Sequence, residues 1–208
     1  MQGLQLQFEP VFQNEQLFLS EDSSCDMFPC VSLFKAYLSH FELLHDDAVV
    51  WREDDSYHLI DAANPSSLEL LLSVPSALVY DEIRFYLGID SLTSVSGAFG
   101  GDLDPTKGMY WTWNSGYVHF KLEGKSGRVA SVSKTFDFHL GGYHGPHAVF
   151  EKIELPFPNT SDATIRIDLD SWLREIDLKQ SNKIMSPGAK ANELAEGIPR
   201  IFSVYEKK

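Results

Sequence analysis

Histidine, tryptophan and carboxylate side chains are the residues of this chain whose chemistry is most informative. Seven histidines offer imidazole nitrogens, which are ligands for copper, zinc and related metals. Three of them, His139, His144 and His147, lie close together around a glycine-rich segment. Spacing alone sets no metal geometry, and a single histidine is more often a packed or solvated side chain. The histidines therefore predict a metal site only in combination with other residues.

Two of the four tryptophans, Trp111 and Trp113, are two residues apart. In an extended chain alternate side chains point to the same side, so the two indoles share a face. The ordinary explanation is a core ladder of large side chains. The neighbouring glycine and asparagine residues favour a loop or bulged strand instead, where aromatic side chains usually serve a site.

Motifs for common enzymatic chemistry are absent from the sequence. Gly97, Gly100 and Gly101 are not followed by the Lys-Ser/Thr pair of a phosphate-binding loop. The Gly-x-Ser-x-Gly pattern of a hydrolase nucleophile does not occur. No nucleophile–base pair stands out, so we do not expect an enzyme.

The elements that must position these side chains are mostly strands. Apolar residues alternate with polar ones, with the period of two that is typical of strands, in residues 4–8, 83–89, 136–140, 149–155 and 165–169. Residues 33–44 are apolar in both parities, which predicts a long strand covered on both faces. One helix is predicted over residues 189–196, capped by Ser186 and ended by Gly197. The pattern predicts one domain over residues 1–208, an all-β, two-sheet antiparallel β-sandwich with long loops and a short C-terminal helix.

Composition and charge exclude several classes of protein. The 208 residues include 17 basic and 30 acidic side chains, a formal net charge of −13 that argues against nucleic-acid binding. The 14 phenylalanines, 8 tyrosines and 4 tryptophans exclude intrinsic disorder. The sequence contains no run of 18 apolar residues, so no membrane-spanning helix is predicted. The N-terminus lacks a basic signal-peptide region, which fits a cytosolic protein or one whose signal has been removed.

Cys25 and Cys30 are the only cysteines. Two cysteines five residues apart, without a second pair, make a poor tetrahedral zinc site. The sequence is compatible with either a loop disulfide or two free thiols.

Residues 101–117, which read GDLDPTKGMYWTWNSGY, closely resemble the central motif of the MbnP family of bacterial copper-binding proteins, related to the CorA- and MopE-type copper proteins. Four further stretches match in order: YHLID at 57–61, FYLGIDS at 85–91, FHLGGY at 138–143 and IMSPG at 184–188. The resemblance covers about residues 30–205. The Trp-x-Trp segment together with the His-Leu-Gly-Gly run is its most specific part.

The resemblance implies an exported β-rich protein, periplasmic, secreted or attached to the outer membrane, that binds one copper ion, usually as Cu(I). In characterised members two histidines bind the copper next to a tryptophan that is oxidised to kynurenine by a di-haem enzyme of the MauG/cytochrome c peroxidase type. The matching histidines here are His58 and His139, which we expect to converge. The tryptophan is Trp111 or Trp113, with Trp111 preferred. The implied role is copper uptake, storage or delivery.

Several neighbours complete this hypothesis. Asp61 and Asp137 are candidates to orient the imidazoles from behind. His144 and His147 are alternative or additional ligands, and one of them replaces a member of the pair if His58 and His139 lie far apart. His119, on a predicted strand, is interpreted as structural. A calcium site is a further candidate, with the loop carboxylates Asp90, Asp102 and Asp104.

A non-catalytic surface module that binds carbohydrate or another ligand is the competing hypothesis. In it, Trp111 and Trp113 form a platform on which sugar rings stack. Burial separates the two hypotheses, because a sugar platform exposes its rings whereas a copper site buries one indole beside imidazoles.

Overall fold

The computed structural model describes residues 2–20, 25, 29–114 and 116–205. Strands make up 45% of the structure and helices 18%, which confirms the all-β prediction. The strands are β1 (Gln2–Phe12), β2 (Glu15–Gln16), β3 (Cys30–His45), β4 (Ala48–Arg52), β5 (Tyr57–Asp61), β6 (Glu69–Val74), β7 (Glu82–Leu87), β8 (Tyr110–Trp111), β9 (Gly116–Lys125), β10 (Thr135–Gly141), β11 (Glu151–Pro156), β12 (Asp162–Asp168), β13 (Lys183–Ile184) and β14 (Phe202–Tyr205). The α-helices are α1 (Ser91–Val95), α2 (Leu169–Glu175) and α3 (Ala189–Ala195).

The strands form two sheets. The first has the order β14-β12-β1-β2, with β6 also paired to β1. The second has the order β11-β7-β3-β9-β10-β13, with β4 and β5 on β3 and β8 on β9. Among the described pairs, β1–β12 and β10–β13 are parallel and the others are antiparallel. The predicted sandwich is confirmed, with these two parallel pairings as the departure from a purely antiparallel one.

The main core lies between the two sheets. Leu4, Leu6 and Phe8 of β1 are fully or almost fully buried there, and the Phe8 ring meets that of Phe41 on β3 at 6.4 Å. Each fully buried side chain of this kind stabilises the fold by about 1.5–3 kcal/mol. The alternation seen in the sequence thus supplies one apolar face for each sheet.

A bulge in β3 explains why residues 33–44 are apolar in both parities. Ser39 pairs with Tyr86 and Glu42 with Arg84, so β3 has one residue more than β7 between these pairs. His40 lies in this interval with a positive φ of 55°. One extra residue exchanges the two faces of a strand. The side chains that face the core are therefore even-numbered before the bulge and odd-numbered after it, namely Phe34, Ala36 and Leu38, then Phe41 and Leu43.

A second apolar cluster lies on the other face of the same sheet, which we call the outer face. It includes Tyr37, Leu59, Met109, Trp111 and Tyr117, all buried. Residues 101–111 lie over this face, since the Lys35 ammonium donates to the carbonyl of Lys107 at 3.0 Å. The large sheet is consequently covered on both faces around the middle of β3, as the sequence predicted.

The C-terminal helix is confirmed at Ala189–Ala195, but the residue that caps it differs from the prediction. Gly188, not Ser186, is the N-cap, and its φ of 156° lies in a region that side chains rarely adopt. Cys25 and Cys30 form a disulfide, with their Cα atoms 5.6 Å apart. No helix among the described residues has the length and apolar character needed to cross a membrane.

Candidate metal centre

His139 is held in the middle of β10 with its imidazole on the outer face. Its neighbours Phe138 and Leu140 belong to the main core, so the alternation of the strand directs His139 the other way. The side chain is only 9% exposed. Its Nε2 forms a 2.7 Å hydrogen bond with Oε1 of Glu123 on the adjacent strand β9, and the Lys121 ammonium lies 3.4 Å from the same oxygen.

These contacts determine the protonation of His139. Burial lowers the pKa of His139 below its ordinary value, against the opposing effect of the hydrogen bond to Glu123. Burial acting alone raises the pKa of Glu123, but the hydrogen bond from His139 and the charge of Lys121 bring that pKa below its usual value. Glu123 is therefore an anion that accepts the Nε2 proton of a neutral imidazole. In that tautomer the lone pair of His139 is on Nδ1.

Trp111 lies on the outer face, the face of the large sheet that carries His139. Strand β8 pairs Trp111 with Gly116, and the indole extends over Gly141, two residues from His139 on the same face of β10. A Cβ at Gly141 would lie 3.0 Å from Cζ3 of Trp111, so the absence of a side chain there makes room for the indole.

The two tryptophans differ strongly in exposure. Trp111 is 6% exposed and Trp113 is 65% exposed, with the ring centroids 5.8 Å apart and the planes tilted by 48°. Only Trp111 has the burial expected of an indole at a copper site.

His58 lies on the opposite face of the sheet from His139. It pairs with Leu38 on β3, a core residue, and its ring meets that of Phe41 at 5.5 Å. Its Nε2 is 2.7 Å from Oε2 of Glu53, which also accepts a hydrogen bond from the Ser56 hydroxyl at 2.6 Å. His58 is thus held at the edge of the main core.

The structure does not bring His58 and His139 together. Lys35 on β3 pairs with Asp61 of β5 at one edge and with Lys121 of β9 at the other, and Lys121 pairs with His139. The strands that carry the two histidines are therefore three strand spacings apart, about 14 Å. The prediction that the two imidazoles converge is therefore wrong, because the sheet itself separates them.

The carboxylates expected behind the imidazoles have other partners. Asp61 forms a 2.9 Å ion pair with Lys35, and its alternation in β5 places it on the face away from His58. Asp137 shares the face of His139, but its carboxylate is 3.5 Å from the Lys183 ammonium. The carboxylates that hold the imidazoles are Glu53 and Glu123. Sequence reasoning missed both, and only the strand register β9–β10 would have pointed to Glu123.

His144 and His147 lie in the loop that follows β10, and both are exposed. They line a surface cavity of about 200 Å³ together with Asn114, Tyr143 and Pro187. Tyr143 connects this loop to the tryptophan segment, since its ring occupies the space where Gly116 lacks a side chain. The loop histidines therefore lie on the side of the large sheet that carries Trp111.

The aspartates proposed for calcium do not gather into a site. Asp90 caps α1 through Thr93 and accepts a hydrogen bond from the Tyr57 hydroxyl. Asp102 pairs with Lys107 at 2.6 Å, and Asp104 caps the next turn. Within the described ranges, the single group of three His, Cys, Asp or Glu residues with metal-like spacing lies elsewhere, at His45, Asp46 and Asp81.

His119 is completely buried at a bulge of β9, where Leu140 pairs with Phe120 and Gly141 with Val118. Its Nδ1 donates to the carbonyl of Val149 at 2.5 Å, and burial lowers the pKa of His119 to about 4. A Cβ at Gly88 would lie 2.6 Å from Nδ1, so this glycine makes room for the ring.

Comparison with known proteins identifies the family and supports the fold. The family model for MbnP matches residues 1–186. Among solved structures, MbnP from Methylosinus trichosporium superimposes with a TM-score of 0.59 and 16% sequence identity, covering 98% of each chain. At that identity the likeness shows the fold alone, and no curated protein matches the sequence. Since the family model spans most of the chain, this protein belongs to the MbnP family.

Proposed function

We propose that this protein binds one copper ion at the outer face of its large sheet and serves in copper uptake, storage or delivery outside the cytoplasm. The observation that carries the proposal is that the buried indole of Trp111 lies over Gly141, two residues from His139 on the same face of β10. The choice of copper as the metal rests on the membership of this protein in the MbnP family.

The side chains at this place fit copper. A neutral imidazole binds Cu(I) tightly, and Glu123 fixes the tautomer and orientation of His139 as a carboxylate does behind many metal-binding histidines. Nδ1 of His139 is the nitrogen left to the metal. Copper bound there supplies a redox-active centre next to the Trp111 ring.

The second imidazole comes from His144 or His147 in this proposal. Both lie in the loop after β10 and are exposed, and one of them must turn toward the metal when copper binds. His58 does not supply it, because His58 is on the opposite face of the sheet and the strands β3 and β9 lie between β5 and β10.

Trp111 is the proposed site of oxidation to kynurenine by a di-haem partner enzyme of the MauG type. Kynurenine carries an aryl amine and a ketone in place of the single indole N–H, which adds lone pairs beside the metal. Trp113 is mostly exposed, with its ring centroid 5.8 Å from that of Trp111, so it is the less suitable residue.

The Cys25–Cys30 disulfide supports a location outside the reducing cytoplasm, because disulfides persist in oxidising compartments. This agrees with the exported nature of the MbnP family. The periplasm, the outer membrane surface and the medium all provide such conditions.

The carbohydrate hypothesis receives less support. A stacking platform needs exposed rings, and of the two indoles only that of Trp113 is exposed. A single ring tilted by 48° against its neighbour offers no flat two-ring surface.

The test is a competitive Cu(I) titration of the wild type, His139→Ala and His58→Ala. His58→Ala is a matched control, because each histidine is part-buried and bonded to a glutamate at 2.7 Å. We expect His139→Ala to weaken binding by at least about a hundredfold, because Cu(I) loses one of two imidazoles, and His58→Ala to leave it within about twofold.

Unchanged copper affinity in His139→Ala contradicts the proposed site, and absence of any tight copper binding by the wild type contradicts the proposed function. Trp111 is tested separately by co-expression with the partner enzyme. Peptide mass mapping should locate kynurenine at Trp111 in the wild type, whereas Trp111→Phe should remain unmodified at that position.

A further inference from the structure

We propose that His45, Asp46 and Asp81 form a second metal site, for a divalent cation of the Zn²⁺ class, at the far end of strand β3. One ligand atom from each side chain lies within 4.8 Å of the others. No other group of three such residues reaches this spacing in the part of the chain that the structure describes. The site lies about 30 Å along β3 from the row that contains His139, counted from Lys35 to His45.

The sheet fixes the backbone of all three residues. His45 is the last residue of β3 and pairs with Ala48, so Asp46 begins the turn to β4. Asp81 precedes β7, and its N–H donates to the carbonyl of Leu44 at 2.9 Å. Its own carbonyl accepts from the N–H of Phe157 at 2.8 Å. The donors thus come from two adjacent strands whose positions are set independently of any metal.

Each side chain has a distinct part in the site. Oδ2 of Asp81 lies 3.0 Å from Nδ1 of His45 and accepts its proton, which leaves the lone pair on Nε2. Oδ2 of Asp46 is 3.8 Å from that Nε2. A carboxylate behind the histidine and a second carboxylate in front of it is a common arrangement around Zn²⁺.

The separation of the two direct ligands suits a transition metal after a small adjustment. Two ligands at about 2.0–2.1 Å from Zn²⁺ in a tetrahedral site are about 3.3 Å apart. The Asp46 side chain is 90% exposed, so its rotation closes the difference from 3.8 Å at little cost.

The donor set selects the class of metal. One imidazole nitrogen with one carboxylate oxygen, and water in the remaining positions, suits Zn²⁺ or a similar divalent ion better than Cu(I), which prefers softer ligands, or Ca²⁺, which prefers oxygen alone. Access is direct, because the His45 and Asp81 side chains are 42% and 53% exposed. The net charge of −13, with Asp47 and Glu82 next to the ligands in sequence, attracts cations.

The experiment is a calorimetric Zn²⁺ titration of the full chain. The variants are His45→Gln and Asp46→Asn, with His40→Gln as the matched control, since the His40 side chain is on the same strand, is 40% exposed against 42% for His45, and lies outside both proposed sites. We expect both site variants to weaken one Zn²⁺-binding event at least about tenfold. His40→Gln should leave that event unchanged.

His45→Gln replaces a half-exposed side chain at a strand end, and thermal unfolding confirms that each variant remains folded. The His45 ring protons, followed by NMR, should shift on addition of Zn²⁺ in the wild type. Equal Zn²⁺ affinity in the wild type and His45→Gln, or His45 ring signals that do not respond, overturns the proposal. Neither outcome depends on copper binding at His139, since the ion and the residues are different.

Discussion

Two histidine–glutamate pairs on opposite faces of one sheet show how little the pair itself says about function. His58 with Glu53 and His139 with Glu123 are joined by hydrogen bonds of the same 2.7 Å length. His58 lies against the Phe41 ring of the main core, whereas His139 lies next to Gly141 and the indole above it.

The surroundings of each glutamate sharpen the contrast. Glu53 also accepts the hydroxyl proton of Ser56, whose oxygen accepts the N–H of Phe41, so this pair ties the chain before β5 to β3. Glu123 is shared between His139 and Lys121 and lies on the outer face with them. We infer that the first pair stabilises the fold and that the second holds an imidazole for a ligand.

The largest expected effect concerns His119, which is buried on the same sheet with a carbonyl instead of a carboxylate as its partner. Its folded pKa of about 4 is below the unfolded value of about 6.5, so the folded state keeps the ring neutral. The contribution of this neutral ring to the free energy of unfolding is complete above pH 6.5. It is lost as the pH falls from there towards 4, a change of about 3 kcal/mol. Urea unfolding of the wild type and His119→Gln across this range measures it.

The wild type should lose stability more steeply than His119→Gln between pH 6.5 and 4. If the free energy of unfolding of both proteins falls equally with pH, burial does not keep the His119 ring neutral. His119 could then not serve as the buried reference for the two histidine–glutamate pairs.

Gly141→Ala should disturb the His139–Glu123 pair on the outer face and leave the His58–Glu53 pair intact. The new Cβ would lie 2.5 Å from the carbonyl oxygen of Tyr117 and 3.0 Å from the Trp111 ring, so the indole must move. We expect a loss of about 2 kcal/mol in the free energy of unfolding, together with weaker copper binding.

Gly100→Ala is the control for this substitution, since no atom lies within 4 Å of the added Cβ. It should change stability by no more than about 0.5 kcal/mol. If Gly141→Ala behaves like Gly100→Ala, the close packing of the indole on β10 is not needed.

Neutralising each glutamate compares the pairs directly. Glu123→Gln should lower Cu(I) affinity about tenfold, or about 1.4 kcal/mol, because His139 loses the anion that orients it. Glu53→Gln should leave Cu(I) affinity unchanged. A copper titration of both variants checks this, and equal losses in the two would contradict the assignment of separate roles.

The smallest expected effect is on stability alone. His58→Ala should reduce the free energy of unfolding by about 1 kcal/mol, through loss of the hydrogen bond to Glu53 and the ring contact with Phe41. Denaturant unfolding of the metal-free protein measures the change. An unaltered midpoint would show that this pair does not fasten the chain to β3.

Much of the fold was predicted from the sequence because side-chain alternation is a local property. Each apolar run at period two became a strand, and the good helix formers of residues 189–195 became α3. The family resemblance predicted His58, His139 and Trp111 in one site. Trp111 and His139 lie on one face of the sheet, and His58 lies on the other. The predicted N-cap of α3 was wrong by two residues, since Gly188 and not Ser186 is the N-cap.

The faces and neighbours of the histidines were decided by tertiary structure. Whether two strand residues meet depends on which strands pair, in what register, and where an extra residue exchanges the faces. The bulge at His40 turns one long apolar run into two inward-facing sets, and the order β5, β3, β9, β10 separates His58 from His139. The sequence by itself determined most of the long strands, the C-terminal helix α3 and the residue types of the site, whereas the helices α1 and α2 were not predicted. Only the pairing of strands distant in sequence gave His139 its glutamate and its indole, because that pairing minimises the free energy of the whole sheet and not of any one segment.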